Sequence, residues 1–281
     1  MNFKIAIIGY GFVGKATEYG FKGKNDIILI DPKLGTTVKQ LNGFKPEFIF
    51  ICVPTPMSNE NSQDCSIINE VISELNSLDI DFTVLLKSTI LPNNLLEIKR
   101  KLNKPIVYNP EFLREKTALS DFINSDMYIF GGDEKTIKSC EKLYKNSNCK
   151  IKNVVKTDLV SAAFIKYTIN TFLALKVSYF NQINEIYSLM NSENGNWEKL
   201  IQYISLDPRI GSSHMDVPGH DGRKGFGGAC FPKDTFALKE LSKDLKHPLT
   251  ILAEAIKYNN AIRASYNDLD KREKEQNVSF D

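Results

Sequence analysis

Apolar residues arrive in two rhythms along this chain. Through the first half they form short, largely β-branched runs: Phe3 to Ile8, Ile27 to Ile30, Phe48 to Val53, Phe82 to Lys87, Ile106 to Tyr108, Met127 to Phe130 and Ile151 to Val155. Runs this short, apolar at nearly every position, predict strands covered on both faces. Helical spacing appears between several of them, around residues 66–78, 93–102, 115–123 and 133–145. Strands alternating with helices predict an α/β fold with a doubly wound, mostly parallel sheet, and ligands at the carboxyl ends of its strands. The rhythm then changes. From Thr157 to about Met190 there is no Pro or Gly, which predicts one helix of roughly 50 Å at ~1.5 Å per residue, with Thr157 and Asp158 as cap residues. Shorter helices are predicted at Trp197 to Ile204, 233–245 and 249–268, and the charged run Asp270 to Glu275 is expected to be solvated and frayed. The pattern predicts two domains, 1–156 and an all-helical 157–281 built on the long helix.

The first strand runs directly into Gly9-Tyr10-Gly11-Phe12-Val13-Gly14. A strand, then glycines allowing a tight turn and close approach of backbone to pyrophosphate, then a helix N-terminus facing the phosphates, is dinucleotide-binding chemistry. Asp31 ends the second strand about twenty residues later, where a carboxylate accepts ribose hydroxyls. An acid there repels a 2′-phosphate and so favours NAD, a preference that Lys33 moderates. The first domain is therefore expected to be a Rossmann-like NAD-binding domain.

Three strand ends carry polar loops: Val53-Pro54-Thr55-Pro56, Lys87-Ser88-Thr89, and Asn109-Pro110-Glu111-Phe112-Leu113-Arg114-Glu115. Each is compatible with ordinary turn chemistry, but their shared position at the ligand edge points to function. Within the long helix, Lys166 and Asn170 lie four residues apart on one face among Phe164, Ile165, Phe172 and Leu173. A buried ammonium requires a partner; the alternative is a lysine that snorkels to water. The helix is apolar on several faces, so it must be covered by its own domain and by a second subunit.

Gly225 to Asp234 reads GFGGACFPKD. Pro232 suits the first turn of a helix, which places Cys230 just ahead of it. The dipole at the helix start and the nearby Lys233 both favour the thiolate, the nucleophilic form. Asp234 either caps the turn or acts on whatever Cys230 holds. The competing reading is a buried cysteine beside a glycine-rich turn.

Composition narrows the field. A net charge of +2 over 281 residues gives no basic surface for nucleic acid. No apolar run approaches the ~20 residues of a membrane span, and the chain enters a strand without signal-peptide organisation. Five cysteines without close pairs suit a reducing, cytoplasmic setting. Three scattered histidines predict no metal site.

Taken in order, the glycine motif, the Val-Pro-Thr-Pro turn, Lys-Ser-Thr, Asn-Pro-Glu-Phe-Leu-Arg-Glu, the Lys166/Asn170 helix and GFGGACFPKD resemble the UDP-glucose/GDP-mannose dehydrogenase family over nearly the whole chain. The resemblance implies a four-electron oxidation of a nucleotide sugar's primary alcohol, UDP-glucose to UDP-glucuronate, with two NAD and a Cys230 thiohemiacetal and thioester. By that likeness Lys166 and Asn170 stabilise an oxyanion, Glu111 serves thioester hydrolysis, Asp234 positions water, and Thr89 helps hold it near the nicotinamide. Gly9, Gly11, Phe12, Val13, Gly14, Asp31, Thr55, Thr89 and Glu115 match cofactor positions. Glu111, Phe112, Leu113, Arg114, Lys166, Asn170, Phe226, Gly227 and Lys233 match substrate positions, and Arg209 an arginine that reaches a neighbouring subunit's substrate in a homodimer. Full-length members carry a third domain over the nucleotide end, which has no counterpart in these residues. Alternatives are a dehydrogenase for GDP-mannose or a UDP-N-acetylhexosamine, a two-domain β-hydroxyacid dehydrogenase making one hydride transfer, or a non-catalytic NAD-binding subunit needing a partner chain.

Overall fold

The structure, a computed structural model, describes residues 2–58, 62–190, 195–266 and 268–280. Seven strands, β1 (Lys4–Ile8), β2 (Asp26–Ile30), β3 (Phe48–Ile51), β4 (Thr83–Leu86), β5 (Ile106–Tyr108), β6 (Met127–Gly131) and β7 (Asn153–Thr157), form one sheet in the order β2-β1-β3-β4-β5-β6-β7. The first five pair in parallel, β5 meets β6 antiparallel at Tyr108 and Gly131, and β6 and β7 are parallel again. The expected doubly wound, mostly parallel sheet is thus found.

The continuous apolar runs are explained by two cores separated by strand periodicity. Ala6, Ile8, Ile49, Ile51, Val84 and Leu86 enter one core, with Ile68 and Leu75 of α3 (Ser66–Asn76) and Leu95 of α4 (Pro92–Lys101). The intervening Ile5, Ile7, Phe48, Phe50 and Leu85 enter the other, with Ala16 and Phe21 of α1 (Phe12–Phe21), Phe122 of α5 (Ala118–Ile123), and Ile137 and Tyr144 of α6 (Glu134–Lys145). Between β2 and β3 the chain forms two short 3-10 turns and one helical turn, α2 (Leu41–Phe44). Because β1 lies between β2 and β3, the direction in which strands are added to the sheet reverses there, and the carboxyl ends of β1 and β3 frame the switch point where α/β sheets bind ligands.

Packing divides the chain into two compact units, residues 1–55 with 63–166, and residues 56–62 with 167–281. The boundary drawn from sequence after residue 156 falls one residue before the end of β7. The packing boundary comes ten residues later because the first turns of α7 (Leu159–Met190) bury Ala162 and Ala163 in the first unit's core. Asp158 caps α7 by accepting from Ser161 N at 2.9 Å. The second unit adds α8 (Trp197–Ile204), α9 (Phe231–Asp244), α10 (Thr250–Arg263) and α11 (Lys271–Glu275). Along α7 in this unit, Phe172, Tyr179 and Ile186 are more than half exposed. Among the described residues no helix is long and apolar enough to cross a membrane.

The charged run after residue 270 corrects the sequence reading. It is not frayed: Asp270 and Glu273 form a reciprocal capping box, and Glu273 is fully buried against Arg263 at 3.0 Å. Charge density suggests solvation only when no buried counter-charge waits for it, and Arg263 is such a counter-charge.

Candidate active site

In the first unit, three Cβ-free positions build the switch-point turn, each for a different reason. Gly9 has φ +90, a left-handed conformation that disfavours any other residue, and a Cβ there would lie 2.8 Å from the Cys52 carbonyl carbon. A Cβ on Gly14 would fall 2.1 Å from the Gly9 carbonyl oxygen, so α1 can start against the turn only without it. Gly11 faces open space instead, with nothing within 4 Å of where its Cβ would stand. Tight turn, open approach and close helix packing are the three demands of a pyrophosphate-binding loop, and Phe12 and Val13 follow at the helix start. Asp31 at the end of β2 takes Tyr10 N at 2.7 Å and Lys33 N at 2.8 Å, which fixes its carboxylate beside the turn. The residues present fit a dinucleotide.

The strand-end loops of this unit are tied to one another. Thr55 Oγ donates to Thr89 O at 2.9 Å, Ser88 Oγ to Val53 O at 2.6 Å, and the buried Lys87 Nζ to Asn109 O and Oδ1 at 3.1 and 3.0 Å. Burial lowers the Lys87 pKa. Gln63, which the sequence did not single out, supports the same edge by donating to Thr89 O and accepting from Leu91 N. Glu111 and Lys166 are both buried. Lys166 Nζ donates to Glu111 O at 2.5 Å, lies 3.7 Å from Glu111 Oε1, and sits 4.8 Å from the Phe112 ring centroid. The lysine does not snorkel: a carbonyl, a carboxylate and an aromatic face offset its desolvation. Glu111 Oε2 accepts from Leu113 N at 2.5 Å. Arg114 and Glu115 are exposed, and Arg114 forms a two-point pair with Asp121 at 3.1 and 2.8 Å.

In the second unit, Cys230 is the N-cap residue of α9 and half-buried, with Pro232 in the first turn. Asp234 does not cap. It is 0% exposed, and its two oxygens accept from Lys233 Nζ at 2.5 Å and Asn170 Nδ2 at 2.6 Å. Lys233 is itself buried with its ammonium on Asp234. Phe226 is buried and Gly227 half-buried in the preceding loop. Arg209 is exposed and pairs with Asp207 at 2.6 Å.

The other cysteines are chemically quiet. Burial pushes the Cys52 and Cys140 thiols up to about 12 and Cys65 up to about 11, and raises Cys149, so all four stay protonated at neutral pH. Among the described residues no three His, Cys, Asp or Glu side chains gather as metal ligands.

Two models of one family match this chain. The NAD binding domain of the UDP-glucose/GDP-mannose dehydrogenase family matches residues 35–148, and the central domain of the same family matches residues 160–261. The chain belongs to the UDP-glucose/GDP-mannose dehydrogenase family. The glycine turn and Asp31 precede the matched segment and rest on the geometry above. A UDP-glucose 6-dehydrogenase of Rickettsia bellii is 34% identical over 220 residues, 76% of this chain and 49% of that protein. This chain spans about half the length of the curated relatives it matches. The same fold is seen in a UDP-glucose dehydrogenase from Pyrobaculum islandicum, with a TM-score of 0.77 at 23% identity over 93% of this chain and 68% of that one. It is seen again in the Mycobacterium tuberculosis 3-hydroxyisobutyrate dehydrogenase, with a TM-score of 0.67 at 15% identity, covering 100% of this chain and 97% of that one.

Two glycine substitutions separate folding from binding. Gly14→Ala is expected to cost about 1–3 kcal/mol of stability through the backbone clash, read by urea unfolding. Gly11→Ala is expected to leave stability within about 0.5 kcal/mol and to weaken NAD about tenfold or more, since its Cβ enters the approach path; calorimetric titration checks this.

Proposed function

We propose that this chain oxidises the primary alcohol of a nucleotide sugar to a carboxylate through covalent catalysis by Cys230, with UDP-glucose as substrate and UDP-glucuronate as product. The observation that carries the reading is the buried Asn170–Asp234–Lys233 cluster in the turn after Cys230. A fully buried carboxylate costs stability, and this one lies one helical turn after a half-buried thiol, with Asp234 N donating to Cys230 O at 2.9 Å, at a helix start that favours a thiolate. The family membership and the names of its relatives support the substrate class.

The glycine turn, Asp31, Thr55, Thr89 and Glu115 would hold NAD, which accepts the hydride at each oxidation. In the first oxidation the alcohol carbon gives up a hydride and its hydroxyl gives up a proton to water, leaving an aldehyde. The Cys230 thiolate adds to the aldehyde carbon, forming a C–S bond, and the former carbonyl oxygen takes the negative charge. Lys166, with Asn170, stabilises that charge through ammonium and amide donors. Loss of a second hydride gives a thioester. Glu111 accepts a proton from the attacking water, which Asp234 positions; the C–S bond breaks, the thiolate leaves, and the carboxylate is released. Covalent capture keeps the reactive aldehyde in place between the oxidations. Phe112, Leu113, Arg114, Phe226, Gly227 and Lys233 line the sugar and phosphate.

The active form is a homodimer. Phe172, Tyr179, Ile210 and Ile251 line an open groove of about 680 Å³ in the second unit, with Arg209 at its edge. A second copy covers this apolar face, and Arg209 reaches its substrate. Sedimentation at micromolar concentration is expected to show a dimer, and Phe172→Glu with Tyr179→Glu a monomer; a monomeric wild-type protein contradicts this.

The function is tested by counting NADH released per UDP-glucose consumed. Two NADH and one acid, both lost in Cys230→Ala, are expected. One NADH without acid indicates a single-hydride dehydrogenase, and turnover confined to GDP-mannose or a UDP-N-acetylhexosamine reassigns the substrate. NAD binding without turnover on any nucleotide sugar leaves a cofactor-binding subunit.

A further inference from the structure

The loop that delivers Cys230 is held by side chains outside GFGGACFPKD. Gly225 N donates to Asn181 Oδ1 at 3.0 Å. Phe226 is gripped at both backbone polar groups by Asn259: its N donates to Oδ1 at 2.6 Å, and its O accepts from Nδ2 at 3.0 Å. Gly228 N donates to Glu273 Oε1 at 3.0 Å, and the same oxygen accepts from Arg263 Nη2 at 3.0 Å. Arg263 is anchored in turn by Asp221 Oδ2 at 2.8 Å, and Glu273 Oε2 accepts from Asp270 N at 2.9 Å. Asn259, Arg263 and Glu273 are all buried. The loop lies directly on this layer. A Cβ at Gly227 would stand 1.2 Å from Arg263 Nη2 and 2.5 Å from Glu273 Oε1, and one at Gly225 2.6 Å from Asn259 Oδ1.

We propose that Asn259, Arg263 and Glu273 are positioning residues for the nucleophile: they fix the backbone of residues 225–228 so that Cys230 is presented at the α9 N-terminus. Without them two backbone N–H groups of a glycine-rich loop, those of Phe226 and Gly228, would lose their partners and be free to rearrange. A buried charged pair would not persist without further partners: the Arg263 terminal nitrogens also donate to Asp221 Oδ2, and the Glu273 oxygens also accept from Gly228 N and Asp270 N. Glycines 225 and 227 are thereby explained as close-approach positions rather than as sources of flexibility. This inference rests on the proposed role of Cys230.

The test compares Glu273→Ala, Glu273→Gln and Lys271→Ala, the last an exposed neighbour on α11 outside the layer. In Glu273→Ala, kcat is expected to fall about tenfold with KM within about twofold, since positioning acts on the reacting geometry rather than on substrate affinity. Glu273→Gln keeps an oxygen acceptor for Gly228 N and is expected to recover most of that loss; Lys271→Ala is expected to match wild type. Iodoacetamide alkylation of Cys230, read by peptide mass spectrometry without substrate, is expected to slow about fivefold in Glu273→Ala. A helix start favours the thiolate of a cysteine held there, so loosening the loop slows the reaction. Gly227→Ala displaces the loop with all three side chains still present and is expected to slow alkylation to the same extent, so this substrate-free readout serves if Glu273→Ala does not fold. Wild-type kcat and alkylation rate in folded Glu273→Ala or Gly227→Ala, or a Gln variant no better than Ala, overturns the proposal. If the wild-type protein oxidises no nucleotide sugar, the functional reading fails, while the alkylation rates still decide the positioning role.

Discussion

A carboxylate removed from water must be paired, and in this protein that requirement shapes the second unit. Asp234 has no exposed surface, and each of its oxygens has its own donor, Lys233 or Asn170. Removing one partner from such a buried set typically costs about 3–5 kcal/mol, so the first turn of α9 is bound to α7 far more tightly than its helix propensity requires. Cys230, the residue before that turn, inherits the constraint. The buried carboxylate thereby fixes the turn that follows the thiol.

The cofactor end solves a different problem, the approach of a charged ligand to backbone. Gly9 and Gly14 answer to packing and conformation, and only Gly11 opens outward. The loops after β3, β4 and β5 are cross-linked by Thr55, Ser88 and Lys87, so the ligand edge of the sheet is a rigid rim. Lys87 and Lys166 are both buried but differently satisfied: Lys87 by the two oxygens of Asn109, Lys166 by Glu111 and the Phe112 ring. The same residue type is buried on two amide oxygens in one place and against a carboxylate and an aromatic ring in the other.

Much of this was legible in the amino-acid order. Short apolar runs predict strands that bury both faces, and Ile5/Ile7 and Ala6/Ile8 do divide between two cores. Pro232 marked the start of α9, and the spacing of Lys166 and Asn170 marked two polar groups that burial forces into pairing. What was not legible depended on partners distant in sequence. Glu273 reads as one charge in a solvated run until Arg263 is brought against it. Asn259 and Arg263 are four apart on α10, a signal of the same kind as Lys166 and Asn170, but nothing local shows that the loop they hold begins more than thirty residues earlier. Gln63 carries no motif, and only the fold places it on the Thr89 carbonyl.

The central claim is that Cys230 becomes covalently bonded to substrate carbon. The most direct measurement is mass spectrometry of a Glu111→Gln variant quenched in acid after mixing with NAD and UDP-glucose, followed by peptide mapping. The account predicts a nucleotide-sugar acyl adduct on the peptide containing Cys230, absent without NAD and absent in Cys230→Ala. Oxidation of the sugar with no adduct at Cys230, or with the adduct on another cysteine, contradicts it.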